Sequence, residues 1–213
     1  PYTKSSHNSD SEGDLVNIRQ NFIDFLENRG VDLVSCGNSH EYERGYLIKN
    51  YNGNWASFNS ATHAVSISNA RYDNASNCPY IYNTTPADHG TVYVVAGSAG
   101  ASGGVNTGFA AGPMPFSVND AGIFYFEVED NRLDAKMLRQ NGTIFDQFTI
   151  MKDAGTSNTF NITNGSSQDL TASWPQSGNY TWVNTVGTTR SVTVTPPNNA
   201  TTVYQVRDAF NCV

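Results

Sequence analysis

Apolar positions change their spacing along the chain, and each change predicts a different kind of element. Residues 1–13 are polar and turn-rich. From Asp14 to Arg29 the residues Leu15, Ile18, Phe22, Phe25 and Leu26 recur at the helical period and predict one amphipathic helix. Ser9, Asp10 or Ser11 is the expected N-cap, and Gly30 is placed to end the helix in the left-handed conformation. Val31 to Cys36 is a short apolar run that reads as a largely buried strand. A helix followed at once by such a strand is the second half of a βαβ unit, which predicts a mostly parallel sheet.

Past residue 45 the pattern turns to β. Tyr46-Leu47-Ile48 is followed by an irregular stretch from Asn50 to Gly90. Then come strands at 91–95, 123–128, 133–138 and 144–150, the last three joined by Glu129-Asp130-Asn131 and by Gln140-Asn141-Gly142 as an antiparallel meander. The glycine-rich run from Ala96 to Gly104 lacks the Lys-Ser/Thr ending of a phosphate cradle and leads into no helix, so it reads as a structural loop. From Asp153 the composition shifts to Thr, Asn and Ser. Short strands are predicted around Phe160, Leu170, Tyr180-Thr181-Trp182, Val192-Thr193-Val194 and Val203 to Val206, with Trp174, Tyr180 and Trp182 as core bulk. The pattern suits a small all-β immunoglobulin-like sandwich, incomplete at that length. Two units are expected, 1–152 and 153–213, of α/β to α+β character followed by all-β. An adhesion, sorting or carbohydrate-binding role for the second unit is left open.

Composition adds limits. Of 213 residues, 38% are hydrophobic and only 15% charged, against about a quarter charged in an average domain. Surface polarity resting on Asn, Ser, Thr and Gly is common in secreted and cell-surface β proteins. The net charge of −7 argues against a nucleic-acid partner, which requires clustered Lys and Arg. No apolar run reaches the roughly 18 residues of a membrane span. The three cysteines form no disulfide framework or metal knuckle by spacing. Cys36 reads as a small buried residue, while Cys78 and Cys212 lie in polar loops where one or both invite a partner, inside or outside the chain. Sequons at Asn74, Asn83, Asn141, Asn161, Asn164, Asn179 and Asn199 are frequent by chance in so Asn- and Thr-rich a sequence.

The chemistry concentrates in Gly37-Asn38-Ser39-His40-Glu41-Tyr42-Glu43-Arg44, a loop at the carboxyl end of a parallel-type strand, where α/β sheets gather ligands. These residues resemble the last metal motif of the calcineurin-like metallophosphoesterases, in their purple-acid-phosphatase-like branch, which reads Gly-His-x-His followed by x-Tyr-Glu-Arg. Pro1-Tyr2-Thr3-Lys4 with Ser6-His7, the stretch Gly90 to Gly97, Asn131 to Lys136 and Asp146 to Lys152 extend the resemblance over roughly the first 150 residues. An alternative alignment of Gly37 to Glu41 with the family's Gly-Asn-His-Glu motif conflicts with the register set by Tyr42-Glu43-Arg44.

The resemblance implies the C-terminal part of a four-layer β-sandwich enzyme that hydrolyses phosphoric esters, with two metal ions (Fe, Zn or Mn) about 3.5–4 Å apart. It implies that His40 is a metal ligand and that Asn38 stands where the first His of the pair is expected, a weaker neutral donor. His7 is implied as a contact to substrate phosphate, or else a solvated loop His. Tyr42 is expected to pack, and Glu43 with Arg44 to form a structural charge pair or carboxylate clamp. The remaining metal motifs, Asp-x-His and Gly-Asp-x-x-Asp/Tyr, are absent; Gly13-Asp14 only imitates the second, and Asp14 more simply favours the helix dipole. A missing N-terminal half is therefore the expected partner, and a non-catalytic relative serving as a surface binding or structural protein is the other reading.

Overall fold

Residues Gly13–Asn28 form α1 in the computed structural model, which describes residues 1–82, 89–103, 112–176, 178–185 and 187–213; Asn83 and Gly104 lie outside them. Glu12, not Ser9, Asp10 or Ser11, occupies the N-cap. The three expected caps are otherwise engaged: Ser9 with Thr3, Asp10 with the Trp55 backbone N–H, and Ser11 through its own backbone N–H. The other end follows the expectation. Gly30 has φ 71°, Gly30 N–H donates to the Glu27 carbonyl and Val31 N–H to that of Leu26, the paired bonds of a Schellman cap.

The helix is rotated relative to its sequence pattern. Ile18, Phe22 and Phe25 are exposed, the last two at 56%, whereas Arg19, Ile23 and Glu27 are buried. Specific hydrogen bonds fix this rotation. Arg19 donates to the carbonyls of Pro1, Ser9 and Asn52. Glu27 accepts from the Tyr93 hydroxyl at 2.9 Å and the Asn50 N–H at 2.6 Å. Turning the stripe Ile18–Phe22–Phe25 inward would strand both charged groups without partners, which is the larger penalty.

The first sheet contains β1 (Leu33–Cys36), β2 (Tyr42–Ile48), β3 (Ala64–Ser66), β5 (Thr91–Ala96) and β6 (Phe116–Val118). Its order is β1-β5-β2-β3, with β6 also on β2. β1 and β5 are parallel, but all three β2 pairings are antiparallel, so the mostly parallel sheet expected from the helix-to-strand pattern is not what the described residues form: β2 follows β1 through a short loop, with no crossover helix to return the chain in the same direction. β1 is an open edge among the described residues. The second sheet has the order β4-β9-β8-β7, from β4 (Tyr80–Tyr82), β7 (Gly122–Glu129), β8 (Arg132–Arg139) and β9 (Ile144–Lys152). It contains the predicted meander, with Gly142 at φ 84° in the β8–β9 turn. The irregular stretch from Asn50 also holds a helical turn at Trp55–Ser57 and a short helix α2 (Ser60–His63).

Strand alternation divides the core. Leu47, Val92, Val94 and Tyr42 face the second sheet and meet Tyr80, Tyr82, Met137, Phe148 and Ile150. Ile48, Tyr93 and Val95 face the helix side with Tyr2 and Ile23. The layer beyond the second sheet is built from the C-terminal unit, and no long helix occupies it among the described residues. That unit has two antiparallel pairs, β10 (Gln168–Thr171) with β12 (Ser191–Val194) and β11 (Thr181–Val183) with β13 (Gln205–Arg207). The region around Phe160, expected as a strand, has no regular structure because its backbone finds no ladder partner.

Trp174, Tyr180, Trp182, Val192 and Val194 pack in one cluster with Met151, Ile81 and Tyr72, so the C-terminal unit shares a core with the second sheet. Cys78 and Cys212 form a disulfide across that junction. Each cysteine left open by the sequence is thus the other's partner. Cys36 is half-buried, with its thiol directed at the Val94 carbonyl. No helix is long and apolar enough to cross a membrane among the described residues.

Candidate functional site

The loop from Gly37 to Glu41 joins the carboxyl end of β1 to β2. Asn38 takes a left-handed φ of 76°, a conformation Asn tolerates better than most residues. Asn38 and His40 are exposed at the loop, whereas Ser39 and Glu41 are buried. The loop is fixed from below by close backbone approach. A Cβ on Gly97 would lie 2.0 Å from the Ser39 carbonyl oxygen, and Gly97 N–H donates to the Glu41 carbonyl at 3.1 Å. The predicted structural role of the glycine-rich run rests on this contact.

Beneath the loop lies a nest of hydroxyls and carboxylates absent from the sequence reading. Glu43 accepts hydrogen bonds from the Thr3 hydroxyl, from the Ser5 hydroxyl at 2.9 Å and from the Lys4 N–H at 3.3 Å. Glu41 accepts from the Ser39 hydroxyl at 3.1 Å and the Ser6 N–H at 3.4 Å, and its Oε1 is buried without a partner. His40 N–H donates to the Ser6 hydroxyl at 3.0 Å. The segment 3–6 and the His40 loop are thereby tied together across more than thirty intervening residues. Burial raises the Glu43 carboxyl above its ordinary value; the three donors oppose that rise and nearby Glu41 adds to it. The signal in the sequence is the cluster Thr3, Ser5, Ser6 and Ser39, whose convergence only the fold reveals.

β2 separates residues that the motif places side by side. Glu43 points into the nest. Tyr42 and Arg44 point to the opposite face, where the Tyr42 hydroxyl donates to Asp146 at 2.8 Å and Arg44 donates to both Asp146 oxygens. The expected Glu43–Arg44 charge pair therefore does not form, because successive strand residues face opposite sides. Arg44 is fully buried, lies over Phe116 and Phe148 at 4.0 and 4.8 Å, and is held charged by Asp146. Tyr42 packs as expected and also orients that carboxylate.

His7 is half-buried, with Nδ1 2.7 Å from Glu12 Oε2. Its loop reaches the His40 loop through Ser6, while its own imidazole is engaged toward the start of α1. His63 packs against Tyr51 and Phe58. His89 stacks on Tyr82, and burial lowers its pKa despite Asp32 at 3.9 Å.

A dinuclear centre needs several anionic and imidazole ligands about each ion. Among the described residues no three His, Cys, Asp or Glu side chains come together as a metal group. His40 and Asn38 supply one imidazole and one carboxamide on an exposed loop. These residues alone do not fit two metal ions.

No family model matches the chain, and no curated protein matches it. Among solved structures, a purple acid phosphatase from yellow lupin (Lupinus luteus) seeds is similar at 20% identity and a TM-score of 0.47, over 64% of this chain and 19% of that one. The chain spans about a fifth of that protein's length. Likeness at that distance assigns no function.

Proposed function

We propose that this chain is part of a secreted, metal-dependent phosphoric-ester hydrolase, an acid-phosphatase-like phosphomonoesterase. The observation that carries the reading is the placement of His40. It stands exposed at the carboxyl end of a parallel strand, on a loop whose backbone is fixed by Gly97 and by the Glu41–Glu43 nest. A loop backbone held in this way suits a ligand position, since it fixes where the solvent-facing imidazole is carried.

The remaining ligands are expected from an N-terminal half of the catalytic domain. Three features support such a partner. β1 has a free edge among the described residues, and strands of a parallel sheet are ordinarily flanked. Ile18, Phe22 and Phe25 line the exposed side of α1. Phe126 and Val128 lie on the same side of β7 as Phe124, which packs against Tyr42 and Phe148, yet both are exposed. The Cys78–Cys212 disulfide supports an oxidising, extracytoplasmic location.

The test is a longer form of the protein that includes residues preceding Pro1, assayed for p-nitrophenyl phosphate hydrolysis and for bound Fe, Zn and Mn by mass spectrometry. Metal and activity that both fall in His40→Ala support the reading. No bound metal and no hydrolysis overturn it and favour a non-catalytic surface relative. Asn38, a neutral donor where the resemblance expects His, is the observation on that side.

A further inference from the structure

A cleft of about 990 Å³ opens in the C-terminal unit, between the segment from Gly155 to Gly165 and the strands β10, β12 and β13. Its volume is at the upper end of small-ligand sites, which run to about 1,000 Å³. The lining chemistry is unusual for this chain. Arg207 is the one charged side chain among the described lining residues, which include no Asp, Glu, Lys or His. Phe160, 54% exposed at the rim, and the half-buried Tyr204 offer ring surface to the cleft, while Trp174 and Trp182 lie buried beneath its floor. Asn158, Asn161, Thr202 and Asn211 contribute amides and a hydroxyl that make no side-chain hydrogen bond within the described residues.

We infer that this cleft is a binding site for a short neutral oligosaccharide. A charged ligand would lie here without a compensating partner beyond Arg207, and losing its hydration would then be costly. A purely apolar ligand would leave the free amides unpaired. A sugar ring meets both demands. Its C–H face packs on aromatic rings, and its hydroxyls are both donors and acceptors, which matches the amide group of Asn. Phe160 supplies a rim surface that no protein residue covers, and Asn161 is its neighbour in sequence. The inference is independent of the phosphoesterase reading, because none of these residues belongs to the first 152.

The test uses the whole 213-residue chain. Malto-, cello-, xylo- and chito-oligosaccharides of several lengths are titrated separately while the tryptophan fluorescence of the cleft floor is followed, with calorimetry as a second readout. At least one neutral series is expected to bind with affinity that rises with length. Phe160→Ala and Asn161→Ala, both exposed and so compatible with folding, are expected to weaken binding about tenfold, or roughly 1.4 kcal/mol. Sulfated oligosaccharides are expected not to bind. Absence of binding by every neutral series at millimolar concentration overturns the inference. So does affinity unchanged in both variants, or tighter binding of an unstructured peptide in the same cleft.

Discussion

Arg44 and Asp146, 102 residues apart, form a buried two-point ion pair that joins the two sheets: Arg44 Nε lies 2.5 Å from one carboxylate oxygen and Nη2 lies 2.9 Å from the other. Tyr42 and Tyr80, with the carbonyls of Gly45 and Asn69, complete the hydrogen bonding around it. Removing one partner leaves the other charge buried and uncompensated. Asp146→Ala is therefore expected to lose about 3–5 kcal/mol of stability, read by urea denaturation. A loss below 1 kcal/mol would show that the guanidinium finds another partner.

The loop carrying His40 depends on a missing side chain. A Cβ at residue 97 would meet the Ser39 carbonyl oxygen at 2.0 Å, and backbone cannot move aside as a flexible side chain can. Gly97→Ala is expected to destabilise by about 1–3 kcal/mol and to shift the His40 imidazole resonances in NMR spectra. Unchanged resonances would show that the two loops are not coupled.

Glu27 predicts a pH dependence. Burial raises its carboxyl above the ordinary 4.5, against the opposing hydrogen bonds from Asn50 and Tyr93. The folded chain then holds this proton more tightly than the unfolded chain does. The contribution is complete below the unfolded value and is lost as pH rises through the folded one. Glu27→Gln has no such proton. The stability difference, wild type minus variant, is expected to fall as pH rises above the ordinary carboxyl range, and parallel curves would refute it.

Reduction of the disulfide tests the junction between the two units. It closes a separation of 134 residues, and cross-links over loops of that order contribute about 2–5 kcal/mol. Cys212→Ser is expected to lower the melting temperature and to increase protease cleavage near Tyr72, whose hydroxyl donates to Asp208 beside the lost bridge. Identical cleavage kinetics would place the holding energy in the shared core instead.

Phe22→Lys combined with Phe25→Lys separates folding from association. Both residues are exposed, so the stability of this chain is expected to change by no more than about 0.5 kcal/mol per site. Pull-down of the proposed N-terminal half is expected to be lost. Retained capture would mean that the stripe on α1 does not contact that half.

The sequence alone specified what a few neighbouring residues decide. The period of α1, the left-handed stop at Gly30, the β7–β8–β9 meander and the turn at Gly142 follow from local steric and hydrogen-bonding preferences. The resemblance in the Tyr42-Glu43-Arg44 run brought attention to the His40 loop, and the fold places His40 at an exposed strand end. Tertiary structure decided the rest. It turned α1 so that Arg19 and Glu27 are inside, sent Glu43 and Arg44 to opposite faces of β2, paired Cys78 with Cys212, and gathered Thr3 and Ser5 around Glu43 with Ser39 on Glu41. Each of these outcomes depends on partners far away in the chain. A periodic pattern records which residues share a face, but the energy of satisfying buried charges determines what that face meets.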